Sequence, residues 1–357
     1  MLDMAKTNKD VSRRGEVKGM QACARQLRQK ASPKEVAPSQ TPVMKSCQNV
    51  AMKLNVETVS SPLKDAASLV LLRDRERASS DHTLEVFLLK RHSASKVLGG
   101  AYVFPGGKLD PEDLSAHGRG LLDQEPPALH AQLAEAKTPQ DVGVGLFVAA
   151  LREAYEECGV LWIKRQERLG TSGPDLSGVK GQLRALTGAG LGFLASLERL
   201  ELQLDTQALV PWSRWITPHR PTVSAQRFDA RFFLGLLPDA EEAAHDQVET
   251  TESVWFTPKE ALAAYVRGEI ELAAPQLMCL LELKGFASAK AAWQEAKCVL
   301  PHTIAPHTLD EHGQRGVCFP GDRSHPQPQK LLSGPTRLWF INGQFQPESG
   351  LESLLQH

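Results

Sequence analysis

Glu153, Glu156 and Glu157 fall within about one helical turn of the stretch LREAYEECGV, residues 151–160, directly after Arg152. On a helix, positions i, i+3 and i+4 share a face. Three like charges so placed repel one another, and near a helix C-terminus they also oppose the macrodipole. A helix built for stability alone gains nothing from this arrangement. Oxygen ligands in threes suit a hard divalent cation such as Mg²⁺ or Mn²⁺. The competing reading is simpler: glutamate is a strong helix former, and neighbouring glutamates on a helix are ordinarily solvated. Upstream, Gly106 and Gly107 in FPGGKLDPED allow the backbone to turn sharply and approach a ligand. A glycine turn ahead of an acid-bearing helix can hold metal and phosphate together.

These residues need elements to position them. Leu146, Phe147, Ala150, Leu151, Ala154 and Cys158 recur at helical spacing. They predict a helix over 142–160 whose apolar stripe faces a core, whose glutamates face away, and which Gly159 stops. AASLVLLRD (66–74) and LEVFLLKRH (84–92) predict the two strands of a hairpin. AYVFPGGKLD (101–110) predicts a brief strand broken by its proline and glycine pair. The polar stretch 111–141 offers a short helix at LHAQLAEA, and 170–200 a glycine-rich loop and a further helix. Strands are predicted at 211–218, 227–238 and 252–256, and helices at 257–268 and 274–285. Beyond about 300 the pattern is loop-rich, with a small β appendage in RGVCFPGD and TRLWFINGQFQ, the second carrying an Asn-Gly turn signal.

With 357 residues, 41% hydrophobic and 23% charged, the chain has the composition of a soluble globular protein with a sizeable core. A net charge of -1 gives the whole chain no bias toward nucleic acid or anionic membrane. The six cysteines lie far apart with no CxxC pair, which argues against a zinc site or a disulfide scaffold and for a reducing interior. No apolar run approaches a membrane span. Residues 1–62 read as a basic, disordered tail, 63–285 as the main domain and 286–357 as a C-terminal extension. The terminal Leu-Leu-Gln-His is not a peroxisomal address, and a cytoplasmic location is expected.

REAYEECGV (152–160) and GGKLD (106–110) resemble the two halves of the Nudix hydrolase signature. The halves are split by an insertion at about 111–141, Ala154 stands at a usually aliphatic position, and Asp113 stands where the box's first glutamate is expected. GGAYVFPGG, WITP, QRFDARFFL, ELAAPQ and a late FPGD narrow the resemblance to the coenzyme A diphosphatase branch of that family. The fold it implies is an α/β/α sandwich with a mixed central sheet and an insertion inside the box.

The activity it implies is metal-dependent hydrolysis of a diphosphate in a nucleoside diphosphate derivative. Coenzyme A or acyl-CoA is the first substrate, giving 3',5'-ADP and a phosphopantetheine. The alternatives are ADP-ribose or a dinucleotide as substrate, or a non-catalytic nucleotide sensor. By the same resemblance Glu153, Glu156 and Glu157 ligate Mg²⁺ or Mn²⁺, with Glu156 and Glu157 foremost, and Arg152 pairs with a box carboxylate. Glu249, six residues before Trp255, binds metal or accepts the attacking water's proton, whereas Glu252 is read as a surface acid. Substrate contacts fall to Gly106, Gly107 and Lys108, the last equally readable as solvated, and to Arg227 and Arg231 as forks for a 3'-phosphate. Strand alternation alone could put either arginine in solvent.

Overall fold

A computed structural model of the chain describes residues 52–356 other than 76–82, Lys96, 166–175, Ala240 and 247–248. Most of the predicted basic tail, and the start of the predicted 170–200 loop, lie outside the described residues. β1 (Lys64–Asp74) and β2 (Leu84–Arg91) pair antiparallel, as their apolar runs predict, with Leu72 opposite Val86 and Asp74 opposite Leu84. Toward the start of β1 the two strands part. β3 (Tyr102–Val103) enters the fork on β2, and β4 (Gly106–Lys108) enters it on β1, with Gly107 opposite Ala67. The glycine pair, expected to break a strand, is itself strand. The open edge of β1 offers backbone groups that need partners, and only a residue without Cβ fits there. A Cβ on Gly106 would strike Ala67 O and Ser68 Cα, and the φ of +153° is one that L side chains rarely adopt.

A short ribbon of β5 (Ile163–Arg165) and β6 (Leu202–Leu204) stands apart from the main sheet. β7 (Leu209–Ile216), β8 (Phe228–Leu236), β9 (Thr250–Phe256) and β10 (His302–Ile304) extend that sheet, whose order is β10-β7-β8-β1-β2-β3 with β9 on the other edge of β2. β8 runs parallel to β1 and β10 parallel to β7, and the remaining pairs are antiparallel, so the sheet is mixed as predicted.

The helices are α1 (Pro126–Gln132), α2 (Gln140–Cys158), α3 (Leu176–Gly188), α4 (Phe193–Arg199), α5 (Pro258–Val266), α6 (Ala274–Leu283) and α7 (Ala289–Cys298). α2 is the predicted acid-bearing helix. It ends at Gly159, φ +70°, with Val160 N–H closing on Ala154 O at 3.1 Å. Its residues 143–152 are buried without a gap because β1 and β4 cover one side while α1 and the loop around Asp113 cover another. Ala67, Leu69 and Leu71 of β1 share the core under α2, while Val70 and Leu72, pointing oppositely, are also buried; both faces of the strand are therefore covered. α7, which the sequence pattern does not reveal, packs on β7, β8 and β1. Among the described residues no helix is long and apolar enough to cross a membrane.

The C-terminal appendage is a four-stranded antiparallel meander of β11 (His307–Glu311), β12 (Gln314–Cys318), β13 (Arg337–Ile341) and β14 (Gln344–Gln346). Asn342 and Gly343, at φ 52° and 83°, form the predicted hairpin turn. The meander is bound to α5: Tyr265 OH lies 2.6 Å from Phe345 N and 2.8 Å from Phe345 O. At the other end of the chain, Met52 N–H donates to Glu271 Oε2 at 3.0 Å, and Asn55 and Val59 donate to the 219–222 loop. Ordered packing therefore starts about ten residues before the expected boundary at 62, because those backbone donors find acceptors on the domain.

Candidate active site

The two halves of the split box meet in space. Arg152 is buried on α2 and reaches across to Asp113, donating Nε to Oδ1 at 2.9 Å and Nη2 to Oδ2 at 3.0 Å. This is a forked ion pair between residues 39 positions apart. The same guanidinium donates Nη1 to Glu153 Oε1 at 2.8 Å and to Glu156 Oε2 at 2.9 Å, and Nη2 to Lys108 O at 3.2 Å. Burial works against its charge, but hydrogen bonds to Asp113 and the surrounding carboxylates outweigh that and raise its pKa. Arg152 thus ties β4, the 113 loop and α2 together, as the resemblance implies, and Asp113 takes the role of its partner.

The glutamates are not equivalent. Glu157 is 5% exposed and accepts the Gly106 N–H at 2.7 Å through Oε2. Glu153 lies against Gly107 so closely that a Cβ at that position would overlap its carboxylate. These two residues, four positions apart, border the glycine strand. Glu156 sits at the rim, its side chain 46% exposed, tethered to Arg152. Burial pushes Glu153 up to about 7 and Glu157 up to about 8, and Glu156 also rises. Their mutual repulsion adds to this.

The trio is therefore not assembled as three ligands around one point. Among the described residues, no group of three His, Cys, Asp or Glu side chains is placed to hold a metal ion. Arg152 Nη1 engages Glu153 and Glu156 together, while the Glu157 carboxylate turns to the Gly106 N–H. What the fold does offer is a recess of oxygen donors. Glu157 is buried and Glu153 largely so, Arg152 and Arg91 offset only part of their charge, and both are set against backbone that no side chain obstructs. Glu249, the residue before β9, is near enough that its charge further raises the Glu157 pKa. An all-oxygen set carrying surplus negative charge is chemistry that suits a hard divalent cation, and on these grounds the residues fit one.

The remaining predicted residues divide. Glu249 immediately precedes β9, and Glu252 stands opposite Lys90, 3.8 Å away, as a surface pair. The Lys108 side chain is exposed, and it is its carbonyl that serves the site. Arg227 and Arg231 are corrections. Arg227 spends its Nε on Thr217 O and Pro218 O, both at 3.2 Å. Arg231 is 3% exposed, pairs with Asp65, and forks onto Glu135 at 3.1 and 2.7 Å. Arg214 joins the same network through Glu135 and Asp229. The Arg231 fork is thus spent inside the protein, and Arg227 is buried with its Nε tied to the 217–218 backbone. Glu135 comes from the box insertion, so Arg231 is an anchor for that insertion on the sheet.

One contributor escaped the reading of the sequence. Arg91, the last residue of β2, faces Glu157 closely enough to favour its charged form, and its buried Nε has no hydrogen-bond partner. Its only signal is its position at the end of an apolar run, one residue before His92, whose N–H bonds Glu249 O at 3.1 Å.

A mixed sheet forked around a glycine strand, with an acid-bearing helix locked to that strand by an arginine, defines a Nudix domain. The chain belongs to the family described as NUDT19 Nudix domain, whose sequence profile matches residues 63–283. It is 31% identical over 263 residues to the acyl-coenzyme A diphosphatase NUDT19 of Gallus gallus, covering 63% of this chain and 69% of that protein. To the Xenopus laevis protein of the same description it is 28% identical over 240 residues, covering 60% of this chain and 63% of the relative, a little under two thirds of its length. The crystal structure of a NUDIX hydrolase from Alicyclobacillus acidocaldarius superimposes with a TM-score of 0.50 at 25% identity, covering 68% of this chain and 98% of that one.

Proposed function

We propose that the protein hydrolyses the diphosphate linkage of coenzyme A or an acyl-CoA, with Mg²⁺ or Mn²⁺ held by Glu153 and Glu157. The observation that carries the reading is the Glu153–Glu157 pair set beside the Gly106–Gly107 strand. The family match and the acyl-CoA diphosphatase relatives support the reaction class and the substrate. A bound divalent cation would supply positive charge to the diphosphate and lower the pKa of the attacking water.

The chain's own residues supply the rest. The glycine strand lets the anionic substrate approach the backbone without steric obstruction. Arg152, fixed by Asp113, holds Glu153 in place and fixes α2 against β4. Arg91 balances part of the carboxylate charge beside Glu157. Glu249, exposed and electrostatically felt by Glu157, is the residue assigned here to accept the proton of the attacking water.

The test is a substrate panel on the purified full chain: coenzyme A, an acyl-CoA, ADP-ribose and a dinucleotide, each with Mg²⁺, with Mn²⁺ and after EDTA. The expected outcome is release of 3',5'-ADP from the CoA substrates, abolished by chelation. Glu157→Gln should lower turnover by at least about 100-fold, since several kcal/mol of transition-state stabilisation are removed. Preference for ADP-ribose or the dinucleotide would overturn the substrate, and activity surviving full chelation would overturn the mechanism.

A further inference from the structure

A second cavity lies where the C-terminal extension folds back onto α5 and α6. Its volume is about 630 Å³, within the range of small-molecule sites. It shares no lining residue with the carboxylate recess. Lys259 near the start of α5, Lys284 at the end of α6 and Lys330 from the extension converge on it. The β2–β9 register places it at the far end of the sheet: β9 pairs near Glu249 with Arg91 at one end and finishes with Phe256 opposite Val86 at the other, where α5 begins.

Three lysines and one carboxylate, Glu282, give this cavity a surplus of positive charge. Among the described residues none of the three lysines has a carboxylate within ion-pair distance. Lys284 is buried, and one of its three donors is used, on Leu354 O at 3.2 Å. Burial lowers its pKa, and the neighbouring charge of Lys259 lowers it further. Glu282 on the same wall does not relieve this. It accepts from the Ser333 backbone N–H, burial pushes it up to about 7, and no lysine pulls it down. The loop carrying Lys330 is held in place: Gly321, at φ +95°, packs against the Lys330 backbone, and its N–H bonds Gln327 O at 2.9 Å. Three ammonium groups around one cavity, with a single carboxylate raised by burial to about 7, leave a positive potential that favours an incoming anion.

We propose that this cavity binds a small phosphorylated ligand, a phosphomonoester dianion held by Lys259, Lys284 and Lys330 with its organic part against the apolar wall. The site is independent of the diphosphate chemistry and exists only because residues 330–354 close over the core domain. A role for the extension follows, as half of a ligand site.

Inorganic phosphate is the probe. In the full chain, phosphate titrated at constant ionic strength should raise the unfolding midpoint by a few degrees and saturate. The shift should vanish in the Lys259→Ser/Lys330→Ser double variant, two exposed positions whose replacement leaves the core intact, and persist in the double Arg variant. In the wild-type chain, phosphate should also slow modification of Lys259 and Lys330 by an amine-reactive reagent, read by mass spectrometry, while leaving the exposed Lys137 unaffected. An equal shift in the Ser variant would place phosphate elsewhere and overturn the proposal. So would the absence of any shift or protection in the wild type.

Discussion

Glu153 and Glu157 carry their charge against the cost of burial, and that has a consequence for stability. Their pKa values in the folded protein, about 7 and about 8, lie above the ordinary 4.5. Between those limits the folded state holds more protons than the unfolded state, so the metal-free protein loses stability as pH rises from about 4.5 to 8. A divalent cation held there, as proposed, would favour the ionised form and reverse the trend. Differential scanning fluorimetry should therefore show Mg²⁺ raising the midpoint more at pH 8 than at pH 5.5, and Glu157→Gln should flatten that difference. Gly107 offers a second test at this scale. Gly107→Ala puts a methyl group into the Glu153 carboxylate. If Glu153 holds the metal as proposed, displacing it by even an ångström should cost on the order of 100-fold in rate, with turnover collapsing while far-UV circular dichroism is unchanged.

Among the elements, α2 was legible and its partners were not. The 3.6-residue recurrence from Leu146 to Cys158 and the stop at Gly159 are local signals, and they located the helix to within two residues. The role of the glycine pair as strand depended on the fork between β1 and β2, which is a property of the whole sheet. Arg231 read as a free phosphate fork because its partner Glu135 lies 96 residues away, in an insertion with no periodicity of its own. Arg152 and Asp113 show how much rests on such a distant contact. Asp113→Ala would leave the buried guanidinium without its forked partner, and breaking a buried pair from one side costs about 3–5 kcal/mol. Urea unfolding should report a loss of that order, and turnover should fall by about 10- to 100-fold through the misplaced Glu153.

At the scale of the molecule, the extension is part of the fold. The family profile ends at 283, but α7 covers β7, β8 and β1, β10 adds a strand beside β7, and Phe345 holds the Tyr265 hydroxyl. Composition marked this region as loop-rich because its strands are short and its pairing partners distant. A chain cut after Leu283 should expose the apolar face that α7 covers. It should elute as aggregate in size-exclusion chromatography and lack the cooperative thermal transition of the full chain. The split box has a different consequence. Asp113 and Arg152 find each other through space, and the chain between them passes through an exposed turn at Gly118 and Gly120, where added side chains would meet nothing. The motif is therefore expected to tolerate a break in the polypeptide at that turn. Two fragments divided at that turn would still be stitched by the parallel β1–β8 pairing and by the arginine fork, a natural seam for complementation between separately made pieces.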